Sequence, residues 1–210
     1  MKIAAVEPLV FNVSEKTNWF FVRVTAENGL SGIGEASLNG YEPAQAAFTE
    51  NVRADWIGKT VDELLPQLKV YAHSPGGLIA ASIISSTEQA VTDLRAKAAG
   101  VPVHQLLGKG KTAARKAVRV YANINRGARD RSPEGIARAA RHAVEQGYGA
   151  LKIAPFDGVY WGDADEPEKL RRTQAGIARV RAIREAVGPD IDIMVDCHWR
   201  FDERGAQRLL

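Results

Sequence analysis

Alternating apolar and polar positions near the start of the chain predict a small antiparallel sheet. Residues 2–13 alternate and are rich in Ile, Val and Phe, and residues 18–25 (NWFFVRVT) have the same β-branched and aromatic character. Asn28-Gly29 then supplies a tight-turn dipeptide, and residues 30–36 return as a partner strand. The pattern therefore predicts three strands, of which the last two form a hairpin.

Helical spacing follows this predicted sheet. Segments near 42–55 and 60–72 carry apolar residues at helical intervals. The longest pattern of this kind covers 78–99, and Gly100 ends it because glycine is typical of a helix C-terminus. Residues 1–115 are thus predicted to form an α+β unit, with the strands first and the helices after them.

The second half of the chain alternates between strand-like and helical segments. In order these are a strand over 118–123 (VRVYAN), a helix over 132–147, a strand over 150–154 (ALKIA), a helix over 167–187, a strand over 191–196 (IDIMVD) and a helix opened by Asp202. Such alternation predicts βα units around a parallel sheet. Three units cannot close an eight-stranded barrel, which takes about 250 residues. Residue patterns alone leave an open sheet and an incomplete barrel as alternatives.

Composition and charge narrow the function classes. The 210 residues carry a formal net charge of +3, and acids and bases are interleaved, as in 166–172 (EPEKLRR), so we expect no nucleic-acid binding. No stretch approaches the roughly 20 apolar residues of a membrane span, and Glu7 and Pro8 break the short apolar run at the N-terminus. A single cysteine, Cys197, excludes an internal disulfide. We therefore expect a soluble protein in the reducing cytoplasm.

Two of the predicted parallel strands end in residues that can carry chemistry. Functional groups of parallel α/β folds collect at the carboxyl ends of the strands, where Lys152 and the pair Asp196 and His198 are predicted to lie. Alternation along a strand would put Asp196 and His198 on one face, roughly 6–7 Å apart. This pairs a hard oxygen ligand with a group that exchanges protons near neutral pH. Lys152, one strand away, could balance an anionic substrate.

Simpler interpretations of the same residues stay open at this point. An aspartate at a strand end is often a helix cap or a turn former, a histidine there is often a structural hydrogen-bonding residue, and a lysine is often a solvated charge. Cys197 is expected to point away from Asp196 and to be packed. The glycines of the predicted hairpin do not lie between a strand and a helix, so they do not predict a dinucleotide-binding loop.

Five segments, in order, carry a resemblance to the mandelate racemase and muconate-lactonizing branch of the enolase superfamily. They are the hairpin ENGLSGIGEAS at 27–37, the helix and tail EQAVTDLRAKAAGVPVHQLLG at 88–108, and the strands VRVYA at 118–122, GYGALKI at 147–153 and IMVDCH at 193–198. The resemblance implies an α+β N-terminal capping domain over residues 1–116. It also implies that residues 117–210 are the first three βα units of a TIM-type (β/α) barrel catalytic domain, truncated and incomplete.

The resemblance implies a magnesium-dependent chemistry. Enzymes of this family bind Mg²⁺ through three carboxylates on successive barrel strands and abstract the proton next to a substrate carboxylate. Asp196 matches the first metal ligand, and Lys152 matches the first lysine of a K-x-K motif whose second lysine is Ala154 in this chain. His198 resembles the general acid of acid-sugar dehydratases. The segment 14–20 matches a loop that closes over substrate, with Trp19 as a substrate contact.

The resemblance therefore favours one function and keeps two others open. The first is dehydration of a sugar acid, a small-molecule carboxylate. This chain would be one part of the enzyme, and the chain alone would be inactive. The second is a racemase, epimerase or cycloisomerase of the same branch, with Lys152 as a catalytic group. The third is an inactive fragment or an oligomerising remnant. Homo-oligomers of even number are common in the family, so we expect a homo-oligomer.

Overall fold

The chain forms two compact units in a computed structural model that describes residues 1–14, 17–72, 77–108, 117–125 and 127–209. The first unit is Met1–Arg115 and the second is Lys116–Leu210. The domain boundary predicted between residues 116 and 117 adjoins residues 109–116, which lie outside the described residues. That boundary therefore stays a prediction, and each unit is described by itself.

The first unit begins with the antiparallel sheet that the alternation predicts. Its strands are β1 (Ile3–Ser14), β2 (Thr17–Ala26) and β3 (Ser31–Glu35), in the order β1-β2-β3. The hairpin between β2 and β3 turns at Gly29, whose φ of 83° is a left-handed conformation that glycine adopts at little cost. The predicted hairpin is confirmed.

Helices cover one face of this sheet. They are α1 (Glu42–Val52), a 3₁₀ turn (Arg53–Asp55), α2 (Val61–Ala72), α3 (Gly77–Ala98) and α4 (Val103–Gly108). Alternate residues of β2 point into the core, where Phe20, Val22 and Val24 are fully buried. They pack with Ile83 and Leu94 of α3 in one apolar cluster. The core thus forms between the sheet and the long helix, as the 22-residue periodic pattern requires.

Two glycines of β3 set how closely the sheet approaches α3. A Cβ atom added to Gly32 would lie 1.9 Å from the carbonyl oxygen of Ala90, and one added to Gly34 would lie 1.8 Å from that of Ser86. Side chains larger than hydrogen therefore cannot fit without moving the helix backbone. These two glycines of the hairpin motif therefore act as packing residues.

The second unit is built from βα units with a parallel sheet. Its elements are β4 (Ala122–Asn123), α5 (Pro133–Glu145), β5 (Ala150–Ile153), α6 (Glu166–Val187), β6 (Asp192–Val195) and α7 (Glu203–Gln207), and the strand order is β4-β5-β6. Side-chain oxygens of Ser132, Asp165 and Asp202 accept backbone N–H groups at the starts of the three helices. The predicted order of strands and helices is confirmed.

The first strand of this sheet is shorter than the sequence predicts. Residues 118–123 are strand-like in sequence, but only Ala122 and Asn123 pair with β5. Val118 and Val120 are exposed, so the apolar alternation before Ala122 does not point into the core of the described residues. The predicted strand is therefore confirmed at its last two residues, because the ladder forms only where a neighbouring strand is in register.

The core of the second unit lies between the sheet and helices α5 and α6. Ile136 of α5, Leu151 and Ile153 of β5, and Ile183 of α6 are at most 1% exposed and pack in one cluster. Among the described helices, none has both the length and the apolar content that crossing a lipid bilayer requires.

We predict that Gly34→Ala destabilises the first unit. The added methyl group would collide with the Ser86 carbonyl, and relieving that collision means moving β3 from α3, at a cost of about 3 kcal/mol of unfolding free energy. Urea denaturation followed by circular dichroism measures this change. Gly108→Ala is the matched control because no heavy atom lies within 4 Å of its added Cβ. Equal transition midpoints for Gly34→Ala and the wild type would contradict the packing role.

Candidate active site

The parallel sheet brings two predicted site residues together at its carboxyl edge. Lys152 lies in β5 opposite Met194 of β6, and Asp196 directly follows β6. The backbone N–H of Asp196 donates to the carbonyl of Ile153 at 2.8 Å, so the pairing of the two strands extends one residue beyond β6. Asp196 is therefore placed by the sheet itself and not by a free loop.

Lys152 and Asp196 form an ion pair. The Lys152 Nζ lies 3.0 Å from Asp196 Oδ2, and each side chain is about one-third exposed, at 32% and 30%. The hydrogen bond from Lys152 is the main reason that the pKa of Asp196 is lowered, and the backbone N–H of His198 lowers it further. The same pair raises the pKa of Lys152. Both groups are thus held in their charged forms.

A strained turn places His198 beside this pair. The carbonyl of Cys197 accepts the N–H of Arg200 at 3.0 Å, and both central residues, His198 and Trp199, have positive φ values of 47° and 48°. Such values suit glycine or asparagine, and they cost a residue with a larger side chain about 1–3 kcal/mol. Asp196 Oδ1 accepts the backbone N–H of His198 at 3.0 Å, which supports the turn.

The turn changes how Asp196 and His198 meet. The sequence predicts that they share one face of a continuing strand, but the strand ends at Val195 and the chain reverses. The imidazole Nε2 of His198 consequently lies 3.4 Å from Asp196 Oδ2. Lys152, Asp196 and His198 thus form one cluster, in which a carboxylate lies between an ammonium group and an imidazole.

A small cavity adjoins the imidazole. It has a volume of about 280 Å³ and is lined by Tyr160, Trp161, His198, Trp199 and Arg200. Its walls come from the loop after β5 and from the turn after β6, which both start at carboxyl ends of the sheet. His198 therefore faces a space in which a small ligand fits.

Ala154, directly after β5, stands where the resemblance expects the second lysine of the K-x-K motif. Its side chain is buried and carries no group that could take up a proton. Its backbone N–H donates to Asn125 Oδ1, and its carbonyl accepts a hydrogen bond from Arg131 at 2.7 Å. Arg131 also forms a two-point ion pair with Asp157, so it ties the loop after β5 to the loop after β4.

These residues include one candidate ligand for Mg²⁺. Asp196 is an oxygen donor at a strand end, as Mg²⁺ prefers. Among the described residues, however, no three His, Cys, Asp or Glu side chains come together in a group that could hold a metal ion. Asp196 therefore fits the part of one ligand, and a complete shell requires further oxygen donors.

The remaining predicted residues have different outcomes. Trp19 lies in β2 of the first unit, is 48% exposed and makes an edge-to-face contact with Phe21. Its role as a substrate contact stays a prediction, and residues 15 and 16 of the proposed closing loop lie outside the described residues. The expected packing of Cys197 is wrong, because the turn leaves this thiol exposed.

Sequence reasoning assigned no role to three side chains of the surrounding loops. Arg131, Tyr160 and Arg200 have no motif of their own, and their roles depend on loops that meet only in three dimensions. A signal was nevertheless present for two of them. Arg200 follows His198 by two positions, and Tyr160-Trp161 is an aromatic pair in an otherwise polar loop.

Family comparisons agree with the order of the two units. Residues 4–108 match the family described as mandelate racemase / muconate lactonizing enzyme, N-terminal domain. Residues 135–210 match the family described as enolase C-terminal domain-like. Together these two matches cover most of the chain.

Several characterised relatives have similar sequences. D-gluconate dehydratase of Thermoproteus tenax is 33% identical over 215 residues, which cover 97% of this chain and 41% of that protein. D-xylonate dehydratase of Haloferax volcanii is 32% identical over 201 residues, which cover 91% of this chain and 47% of that protein. The chain thus spans about half the length of the relatives that it matches.

Solved structures share the same fold. A mandelate racemase/muconate lactonizing enzyme-like protein from Rubrobacter xylanophilus superimposes with a TM-score of 0.79 at 30% identity, over 99% of this chain and 56% of that one. A member of the enolase superfamily from Salmonella Typhimurium gives a TM-score of 0.77 at 26% identity, over 99% and 57%.

We predict that Lys152→Met raises the pKa of Asp196 toward that of an ordinary carboxyl group. A lowered carboxyl pKa stabilises the fold above the pKa of the unfolded chain, and this stabilisation is lost as the pH falls through the folded-state pKa. On the alkaline side, the stabilisation by the ion pair is lost as the pH rises through the raised pKa of Lys152, where the ammonium group loses its proton. The difference in stability between wild type and variant should therefore be greatest between these limits.

Carbon-13 NMR titration of the Asp196 carboxyl group measures the shift directly. Lys97→Met, which breaks the ion pair with Asp93 in the first unit, is the control and should leave the titration of Asp196 unchanged. An Asp196 midpoint that is the same in Lys152→Met and the wild type would show that the ion pair does not form in solution.

Proposed function

The chain belongs to the mandelate racemase and muconate-lactonizing enzyme family of the enolase superfamily, and on that premise we propose that it is part of an enzyme that dehydrates sugar acids. The observation that carries this proposal is the cluster of Lys152, Asp196 and His198 at the carboxyl edge of the sheet, with contacts of 3.0 and 3.4 Å. The names of the similar proteins from Thermoproteus tenax and Haloferax volcanii, both sugar-acid dehydratases, support it.

Dehydration of a sugar acid needs two proton transfers at neighbouring carbons. A base takes the proton from the carbon next to the carboxylate, and the carbon–oxygen bond at the next carbon then breaks. The departing hydroxyl takes up a proton and leaves as water, and the resulting enol converts to a 2-keto-3-deoxy acid. The enzyme must therefore hold the carboxylate, tolerate its increased charge and deliver a proton to the hydroxyl.

In the proposed mechanism His198 delivers that proton. Its imidazole lines the cavity, where a hydroxyl of the substrate would lie, and an imidazole can carry and release a proton near neutral pH. The backbone hydrogen bond to Asp196 supports the turn, and the 3.4 Å contact with Asp196 Oδ2 places the imidazole beside that carboxylate. Proton transfer by a positioned general acid is worth about 10²–10⁴-fold in rate.

Lys152 would stabilise the negative charge of the reacting carboxylate. Its ammonium group already binds one carboxylate, that of Asp196, and it is one-third exposed and so accessible to a second. Ala154, directly after β5, carries no basic group, so the base that abstracts the α-proton does not come from the position of the second lysine of the K-x-K motif. We assign that role to a residue outside the cluster.

Asp196 would hold Mg²⁺ as one of its oxygen ligands. When bound, the ion would offset the second negative charge that proton removal places on the substrate carboxylate. Because the described residues supply a single carboxylate to this site, we propose that the other ligands come from later barrel strands and that residues 1–210 alone do not turn over substrate.

Other features of the protein stay predictions. Homo-oligomerisation and the contact between Trp19 and substrate follow from the family resemblance, and cytoplasmic location follows from the single cysteine. A sedimentation measurement would test the first of these.

We predict that His198→Asn abolishes most of the dehydration activity. The variant is made in the protein expressed from its own gene, so that its natural length is retained, and it is assayed with Mg²⁺ and D-gluconate or D-xylonate for formation of a keto acid. Loss of the general acid should reduce kcat by about 10²–10⁴-fold. His142→Asn, at an exposed position of α5, is the control and should retain activity.

Two outcomes would contradict the proposal. Full activity of His198→Asn would remove the role of this residue. Exchange of the α-proton with solvent deuterium in the wild type, without loss of water, would favour a racemase in place of a dehydratase.

A further inference from the structure

We propose that the cavity beside His198 binds the far end of the substrate and that Arg200 selects a sugar acid with a second carboxylate at that end. This inference rests on the dehydratase function proposed above and makes it more specific. It assigns a specificity-determining role to a residue that has no part in the proton transfers.

Aromatic side chains form the walls of this cavity although they are open to solvent. Tyr160 and Trp161 are each 57% exposed, and Trp199 is 85% exposed. Aromatic side chains gain free energy from burial, so a group of exposed ones around a single space is typical of a binding surface. They come from two different loops, so the grouping is not a consequence of sequence proximity alone.

Arg200 is held in place at this cavity. Its guanidinium group donates a hydrogen bond to the carbonyl of Val159 at 2.9 Å and lies 5.4 Å from the centre of the Tyr160 ring. These two contacts fix the orientation of the planar group. Most of its five N–H donors remain available, and their fork geometry matches a carboxylate.

The guanidinium of Arg200 has no acidic partner within the described part of the chain. Other arginines of the second unit do have one: Arg131 pairs with Asp157, and Arg172 pairs with Glu168. The carboxylate of Asp196, close in sequence, is already engaged by Lys152 and by the turn. A positioned cation without a protein anion, in an aromatic pocket, is complementary to an anionic ligand group.

The turn places the guanidinium of Arg200 and the imidazole of His198, which would act at the reacting end of the substrate, on one cavity. His198 and Arg200 are the first and third residues after Cys197 in the strained turn, and both line the cavity. A ligand whose hydroxyl lies at His198 therefore extends toward Arg200. The volume of about 280 Å³ lies just below the usual range for small-molecule pockets, which suits part of a six-carbon chain and not a polymer.

Binding of D-glucarate and D-gluconate tests this inference without requiring turnover. The two acids differ only at the far carbon, which is a carboxylate in glucarate and a hydroxymethyl group in gluconate. Quenching of tryptophan fluorescence reports binding, because two of the four tryptophans, Trp161 and Trp199, line the cavity. Titrations are made with the 210-residue chain at a fixed Mg²⁺ concentration and moderate ionic strength.

We expect the wild type to bind glucarate about 10- to 100-fold more tightly than gluconate, as a charge-assisted hydrogen bond predicts. Arg200→Gln should reduce this preference to within about threefold while leaving gluconate binding nearly unchanged. Arg181→Gln, at an exposed position of α6, is the matched control and should keep the wild-type preference. Equal affinity for the two acids, including no binding of either, or a preference that survives Arg200→Gln, would overturn the inference.

The outcomes also separate this inference from the proposed function. Dehydration of gluconate with no effect of Arg200→Gln on either acid would overturn the role of Arg200 and leave the dehydratase function intact. An Arg200-dependent preference for glucarate in a protein whose His198→Asn variant loses no activity would support the anion site and overturn the catalytic role of His198.

Discussion

The parallel pairing of β5 with β6 is the constraint on which the candidate site depends. It places Lys152 and Asp196 at one edge of the sheet, 3.0 Å apart, and extends by one backbone hydrogen bond beyond the end of β6. Neither residue would be a functional group on its own, because a lone charge at a strand end is readily solvated. Together they form a fixed pair, and the turn that follows adds the imidazole of His198. The cavity and Arg200 are then positioned by the same turn.

The turn itself is locally unfavourable and structurally supported. Two consecutive residues with large side chains, His198 and Trp199, adopt left-handed conformations, although glycine would avoid this cost of about 1–3 kcal/mol per residue. The hydrogen bond from the backbone of His198 to Asp196 offsets part of the cost. Strain of this kind persists where the surroundings over-determine it, and it is concentrated at functional sites. Here it directs an imidazole and a guanidinium into one space.

Much of the fold could be predicted from the sequence because its signals are local. The glycine turn of the hairpin, the 22-residue helix α3 and the capped helices of the second unit all follow from residues that are close in the chain. Lys152, Asp196 and His198 could be found as candidates because strand ends are readable. Other features could not be predicted, because they depend on how the chain folds in three dimensions. They are the turn after β6, the exposure of Cys197 and the hydrogen bonds by which Arg131 connects the loops after β4 and β5. The two-residue length of β4 likewise depends on register with a neighbour.

We propose Asp196 as one carboxylate ligand of a bound metal ion, and paramagnetic Mn²⁺ tests this role directly. Mn²⁺ substitutes for Mg²⁺ at oxygen-rich sites and broadens the NMR signals of nearby protons. Titration with Mn²⁺ should broaden the imidazole signals of His198 well before those of His142, and Asp196→Asn should remove this selectivity. Equal broadening of both imidazoles in the wild type, or selectivity that survives Asp196→Asn, would contradict a metal-binding role for Asp196.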